Sequence, residues 1–267
     1  MDILEKIVEA KKKLVEKNKL LFPVKKLEGS VNFDAVPVSL SEYIQRPDKS
    51  GIIAEFKRRS PSQGDINPHA SVERVTLGYM RAGASALSVL TDQEFFGGSD
   101  EDLMEARKFN YCPILRKDFI VDEYQILEAK SIGADAILLI AAVLTKEEMQ
   151  SLTRFAHSFK LEVLVEVHDE GELHNCLEVG ADIIGVNNRN LKTFKVDVDT
   201  SRKLAKVIPG GMLKISESGI DDTKVIHDLM GHGYKGFLMG QRFMEHGRPE
   251  EECQKFIDKL KSRENTR

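Results

Sequence analysis

Short, nearly continuous apolar runs alternate along the chain with longer stretches in which apolar residues recur every three or four positions. The first texture suits a β-strand buried on both faces, the second an amphipathic helix. Three of the runs share one design: Gly83-Ala84-Ser85-Ala86-Leu87-Ser88-Val89-Leu90, Gly133-Ala134-Asp135-Ala136-Ile137-Leu138-Leu139-Ile140 and Gly180-Ala181-Asp182-Ile183-Ile184-Gly185-Val186. A glycine that closes a helix in the left-handed conformation, followed by an aliphatic strand, marks a helix-to-strand junction each time. The copies begin at positions 83, 133 and 180, spacings of 50 and 47 that leave room for two strand–helix units from one copy to the next. An internal repeat of such units is implied.

The same patterning predicts strands at Gly51–Lys57, Ala86–Thr91, Pro113–Lys117, Asp135–Ala141, Leu161–Val167, Ile183–Asn187, Met212–Ser216 and Gly236–Met239. It predicts helices at Asp100–Phe109, Asp122–Ile132, Thr145–Phe159, Asp169–Val179, Asp199–Val207 and Asp221–Met230, most opening on an Asp or Thr able to cap an N-terminus. Strict alternation points to an α/β protein with a parallel sheet, and eight units in about 210 residues fit a closed (β/α)8 TIM barrel. An open doubly wound sheet would usually have fewer strands and a glycine-rich first turn, which Lys57–Gly64 is not. Residues 50–262 are therefore assigned to the barrel. In residues 1–49, Leu4, Ile7, Val8 and Leu14 are spaced as one face of a helix but are too few for a separate core. This segment is expected to be a helical extension packed on the barrel within a single domain, closing its bottom or reaching over its rim.

Composition narrows the setting. With 267 residues the chain can bury about three quarters of its extended surface without a disulfide or metal staple. Lys and Arg total 39 against 43 Asp and Glu, and 31% of residues are charged and 41% hydrophobic, which excludes disordered and fibrous classes. The net charge of −4 lacks the basic surplus that nucleic-acid binding relies on, so no nucleic-acid partner is expected. The most apolar stretch, Ala136–Leu144, is far short of the roughly 20 residues needed to span a bilayer, and Met1-Asp2-Ile3-Leu4 opens no leader peptide. No membrane partner and a cytoplasmic location are expected. Cys112, Cys176 and Cys253 are widely spaced and read as structural thiols. Oligomeric state is left open between monomer and homo-oligomer.

In a barrel of this kind chemistry sits at the C-terminal ends of the strands. Strand alternation puts Glu55 and Lys57 on one face at the end of the first strand, Lys117 ends the third, Glu166 the fifth, Asn187 and Arg189 follow the sixth, and Glu217-Ser218-Gly219 follow the seventh. Any one of these alone reads more simply as a solvated charge or a surface ion pair. Two lysines and two carboxylates converging on one partly desolvated mouth should instead perturb one another, the condition for acid–base work near neutral pH. Glycines after both of the last two strands, Gly219 and Gly240-Gln241, suit a phosphate held by backbone N–H groups, with Lys57 and Ser60 completing the site from the facing loop. Phe95-Phe96-Gly97-Gly98 would suit an aromatic substrate or serve only as a loop. The seven histidines show no metal-binding spacing and read as surface residues or as supports behind the site; no metal site is predicted.

Together these segments resemble indole-3-glycerol-phosphate synthase. The resemblance is carried by Ile53-Ala54-Glu55-Phe56-Lys57-Arg58-Arg59-Ser60-Pro61-Ser62, Ser88-Val89-Leu90-Thr91-Asp92 with Phe95-Phe96-Gly97-Gly98, Leu115-Arg116-Lys117-Asp118-Phe119, Leu164-Val165-Glu166-Val167-His168, Ile184-Gly185-Val186-Asn187-Asn188-Arg189-Asn190-Leu191 and Ser216-Glu217-Ser218-Gly219-Ile220. It implies closure of 1-(2-carboxyphenylamino)-1-deoxyribulose 5-phosphate to indole-3-glycerol phosphate, without a cofactor. It further implies Lys117 as general acid, Glu166 as its acid–base partner, and Glu55 with Lys57 serving the later dehydration and holding the substrate. Asn187 and Arg189 would orient the anthranilate part and the reacting hydroxyls, Glu217 and Ser218 would line the pocket, and Ser60, Gly219, Gly240 and Gln241 would neighbour the phosphate. One departure stands out: Gln241-Arg242-Phe243-Met244 replaces the small or acidic residue and the Ser or Ala usual after that glycine.

Three rivals are weaker. A phosphoribosylanthranilate isomerase would use a Cys/Asp pair, and no cysteine lies near the first strand. A Schiff-base aldolase would need a deprotonated lysine. A catalytically dead binding barrel would have little use for the full Glu55, Lys57, Lys117 and Glu166 set.

Overall fold

A computed structural model of the chain describes residues 2–264. Eight parallel strands close into one barrel: β1 (Ile52–Phe56), β2 (Ala86–Leu90), β3 (Ile114–Lys117), β4 (Ala136–Ile140), β5 (Glu162–Val167), β6 (Ile183–Asn187), β7 (Leu213–Glu217) and β8 (Gly236–Met239), with β8 pairing back onto β1 through Ile52 and Phe237. Each observed strand overlaps a predicted one, with shifts of a residue at several ends. After β1 the chain makes a small antiparallel ladder that pairs Arg59–Ser60 with Gly64–Asp65.

Alternation along the strands divides the core. Ile52, Ala54 and Phe56 of β1 face outward into the layer shared with the helices, whereas Ile53 joins Leu115, Leu164, Ile183, Ile215 and Leu238 inside the barrel. The helices that cover the outside are α4 (Val72–Ala82), α6 (Asp100–Phe109), α7 (Glu123–Ile132), α8 (Lys146–Ser158), α9 (Glu170–Cys176), α10 (Asp199–Leu204), α11 (Thr223–Gly231) and α13 (Pro249–Glu264), with four-residue helices α5 (Gln93–Phe96) and α12 (Gln241–Met244) after β2 and β8. Asp122, Thr145 and Asp169 cap α7, α8 and α9 as their sequence positions suggest. The other predicted openers do not: Ser99 caps α6, Asp222 caps α11, and α10 starts after Val198 with no side-chain cap. Gly83 and Gly133 close α4 and α7 in the left-handed conformation.

The segment before β1 reaches both ends of the barrel. Helix α1 (Ile3–Leu21) opens on a capping box made by Asp2 and Glu5, and its first turns stand at the mouth, while its end is held beside α7 by Lys19–Asp122 (2.8 Å) and by Tyr124 donating to the carbonyl of Phe22 (2.7 Å). After the short helix α2 (Val24–Glu28), helix α3 (Leu40–Gln45) inserts Leu40 and Ile44 into the inner core from below. Glu162, the first residue of β5, accepts from the backbone N–H (2.7 Å) and hydroxyl (2.8 Å) of Ser41 and fixes that plug. The face of α1 differs from the one the apolar spacing suggested: Ile7, Lys11 and Val15 are buried and Leu14 is 41% exposed. Among the described residues no helix is long and apolar enough to cross a membrane.

Candidate active site

A cavity of about 400 Å³ occupies the C-terminal mouth of the barrel. Its floor is set by strand ends, because each inward position at the end of a strand points into the space above the last apolar layer. Glu55 and Lys57 come from β1 and the residue just beyond it, and their side chains pair at 2.9 Å. Lys117, at the end of β3, reaches across to Glu166 on β5 (2.7 Å) and to Glu217 on β7 (2.9 Å). Lys117 therefore shares one ammonium between two carboxylates, one more than the resemblance implied.

The electrostatics separate those two acids. Burial alone would raise both; Lys117 and then His168 override it at Glu166 and hold that carboxylate ionised, well below the usual range. At Glu217 burial wins, pushing the carboxyl up to about 7, with Lys117 pulling it down and Glu166 opposing that pull. Burial would lower Lys117, but Glu166, Glu217 and Glu55 together raise it, so it rests as a firmly held cation.

The walls come from the loops. Asn187 turns its side-chain oxygen back to the backbone N–H of Arg189 (3.0 Å), and Arg189 donates to the Gln241 side chain (3.1 Å) and to the Phe194 carbonyl (3.3 Å). That ties the loop after β6 to α12. Ser218 and Gly219 are consecutive left-handed residues that turn the chain at the end of β7, and Asn188 braces the turn by donating to the Ser218 carbonyl (3.0 Å). Ser60 and Gly240 line the same cavity from the loops after β1 and β8. Phe96 lies 6.0 Å, centroid to centroid, from Phe119, giving an aromatic wall on the side of β2 and β3. The structure thus brings every candidate residue of the sequence reading to one cavity.

Other residues in and around the cavity were not assigned to it individually from the sequence. Ile3, Leu4 and Ile7 of α1 form part of its lining, so the extension contributes surface to the mouth. Lys11, 4% exposed, places its ammonium between Asp92 (2.8 Å) and Asp118 (2.7 Å), the residues that follow β2 and β3. Asp92 caps the helix carrying Phe96 by accepting from Phe95 N–H (2.8 Å), and Asp118 stands between Lys117 and Phe119. The clue in the sequence was the run Lys117-Asp118-Phe119 itself, but nothing in it points to a partner at position 11. Arg242 also lines the cavity, yet its guanidinium lies 2.8 Å from His246 and 3.6 Å from Glu252.

Two ammonium groups and three carboxylates held at close range above a sealed apolar core make poor building material for stability, since each buried charge is costly to desolvate. Their concentration at the functional end of a (β/α)8 barrel defines an acid–base enzyme of that class. The sequence profile of indole-3-glycerol phosphate synthase matches residues 4–260. The chain belongs to the indole-3-glycerol phosphate synthase family. It is 46% identical over 256 residues to the indole-3-glycerol phosphate synthase of Bacteroides thetaiotaomicron, covering 96% of this chain and 98% of that protein. It is 41% identical to that of Campylobacter fetus over 91% of this chain and 94% of the relative. Solved structures at much lower identity share the barrel: thiamine phosphate pyrophosphorylase from Pyrococcus furiosus (TM-score 0.61, 13% identity, 84% of this chain and 98% of that one) and 3-hexulose-6-phosphate synthase from Salmonella typhimurium (TM-score 0.62, 14% identity, 79% and 98%).

Proposed function

We propose a division of labour among the residues of the mouth for the reaction of this family. The chain is a carboxy-lyase of tryptophan biosynthesis that closes the indole ring of 1-(2-carboxyphenylamino)-1-deoxyribulose 5-phosphate, losing carbon dioxide and water to give indole-3-glycerol phosphate. Attack of the ring carbon on the ketone turns a carbonyl oxygen into an alkoxide, which needs a proton. Lys117, the cation at the centre of the cavity, supplies it as general acid. The attacking ring carbon carries the carboxylate, so aromaticity returns by loss of carbon dioxide and not of a proton; Glu166, kept ionised beside Lys117, stabilises the cationic intermediate and accepts the proton given up when water leaves. Glu55 and Lys57 hold the substrate and serve the loss of water.

In this reading Phe96 packs on the anthranilate ring, Asn187 and Arg189 orient it together with the reacting hydroxyls, and Glu217 and Ser218 shape the pocket around Lys117. The phosphate sits against Ser60, Gly219, Gly240 and Gln241, where backbone N–H groups and a hydroxyl offer donors without a metal. The substrate is thus a phosphorylated aromatic compound, met in the cytoplasm. The observation that carries the assignment is the Lys117 ammonium at 2.7 Å from Glu166 and 2.9 Å from Glu217 on the cavity floor.

The test is indole fluorescence on mixing the carboxyphenylamino-deoxyribulose phosphate with protein in buffer containing a chelator. The chain has no Trp to mask the signal. A rapid rise is expected, and Lys117→Ala should lower kcat at least ~100-fold with a much smaller change in KM. Turnover near that of the wild type in the variant would remove Lys117 from the general-acid role.

A further inference from the structure

Behind Glu166 stands a side chain that the reaction as described does not use. His168 lies two residues beyond Glu166, and its Nε2 sits 3.3 Å from Glu166 Oε1, the oxygen turned away from the 2.7 Å contact between Oε2 and Lys117. Its Nδ1 is 3.0 Å from Glu172 Oε2 on α9. The same Glu172 oxygen accepts the backbone N–H of His168 (2.8 Å), so one carboxylate oxygen holds both the backbone and the ring of His168. The ring is largely buried, and Nε2 has no aligned hydrogen-bond partner: its approach to Glu166 is a charge contact, out of line for a hydrogen bond. The charged groups facing the imidazole are Glu166 from β5 and Glu172 from α9, while Lys117 and Glu217 reach Glu166 from the far side.

We propose that His168 is a positioning residue that, as an imidazolium anchored on Glu172, holds Glu166 in place and ionised when Lys117 gives up its proton. The inference rests on the reading of Lys117 as acid and Glu166 as base. Before ring closure Glu166 has a cation on each oxygen. Transfer of the Lys117 proton to the substrate alkoxide leaves a neutral amine and removes one of those cations just when Glu166 has to remain an ionised acceptor. His168 then supplies the remaining positive charge, and a small rotation of the carboxylate brings Nε2 into line. Burial would lower the pKa of the imidazole, but the contacts with Glu166 and Glu172 outweigh it and hold it up at about 10, so the ring carries its charge throughout the working range.

His168→Gln, Glu172→Gln and Glu166→Gln are measured beside the wild type for kcat and KM from pH 3 to 9, with thermal unfolding and imidazole nitrogen NMR on the full chain. For His168→Gln, kcat at neutral pH should fall about tenfold or more, KM should stay within about twofold, and the acid limb of the kcat profile should move up by about one pH unit, since a neighbouring cation depresses a carboxyl pKa by about 1–3 units. Glu172→Gln should shift the same limb less. Both nitrogens of His168 should be protonated in the wild type at pH 8. A folded His168→Gln with an unchanged profile, a loss of kcat that follows lowered Tm at every pH, or a neutral imidazole at pH 8 would each overturn the proposal. If His168→Gln does not fold, an unmoved acid limb in Glu172→Gln does so. Glu166→Gln separates the two levels: an inactive Glu166→Gln with a normal His168→Gln defeats only the role of His168, whereas an active Glu166→Gln defeats the reading of Glu166 itself.

Discussion

At Gly240 the backbone passes so close to Glu55 that a Cβ built there would stand 2.6 Å from a carboxylate oxygen and 2.9 Å from the Glu55 Cβ. The sequence pattern led to a phosphate role for this glycine, which would make Gly240→Ala mainly a KM variant. The contact points to a larger cost: the methyl group displaces Glu55, so kcat should fall by roughly 10- to 100-fold along with any change in KM. Steady-state kinetics that move KM only would return Gly240 to a pure phosphate role. Glu217 carries a prediction of the opposite kind, about stability. Held up at about 7, mainly by burial, it keeps a proton in the folded chain that an ordinary glutamate near 4.5 has already lost. The folded state binds more protons across that window, so this group takes away stability as pH rises from about 4.5 to 7. Glu217→Gln should therefore gain Tm relative to the wild type between pH 5 and pH 8. A constant difference between the two proteins would show that Glu217 is ionised in the fold throughout.

At the scale of elements, α1 is fastened at the mouth by one side chain. The Lys11 ammonium is raised in pKa against the pull of burial by Asp118 and Asp92, so it stays charged in place. Lys11→Met leaves buried Asp92 without its cation and Asp118 with Arg116 alone, at 3.5 Å, and breaking a buried pair in this way typically costs about 3–5 kcal/mol. It should also loosen the loops that carry Phe96 and Phe119, raising KM and speeding hydrogen exchange in α1. Wild-type protection of α1 in the variant would mean that apolar contacts alone seat the helix. This clasp also marks where the elements stopped being legible. The eight strands were visible because aliphatic and β-branched runs buried on both faces look the same wherever they occur, as at Ile183–Asn187, where the bounds agree to the residue. Helix α1 was visible as a helix but turned about its axis: an apolar count gave Leu14 a buried place and could not give one to Lys11, whose burial depends on two aspartates from distant loops. The four-residue helices α5 and α12 are too short to leave a period at all.

At the scale of the whole molecule the two ends of the barrel have separate duties, as this architecture leads one to expect. The mouth gathers the charges; the bottom is closed by Leu40 and Ile44 against Ile53, Ile183 and Ile215. Leu40 is fully buried, so Leu40→Ala should cost about 2–5 kcal/mol. It should leave kcat and KM close to wild type below the new Tm, and a matching loss of turnover at 25 °C would show that the plug communicates with the mouth. The sequence suggested an extension at the bottom or at the rim; the chain has one helix at each. That outcome was illegible because α3 is six residues long and its seat is made by Glu162, whose role as an acceptor for Ser41 leaves no trace in local pattern. The candidate site was legible for a different reason: strand alternation and strand order place inward side chains at the mouth without any knowledge of loops. Lys11, which touches the site only through other side chains, lay beyond that rule, and His168, on the same strand face as Glu166, was read only as one of seven histidines at the surface or behind the site.

Both closures are drawn from a segment that is made before the strands of the barrel. Ser41 and its acceptor Glu162 are 121 positions apart, so at about 5–20 residues per second a ribosome spends roughly 6–24 s between them. During that interval α1 can already meet Asp92, Asp118 and Asp122, but α3 waits for its acceptor. The plug emerges before the strands of the barrel yet gains its acceptor only with β5, and a nascent chain halted before β5 is left with its lower end unplugged.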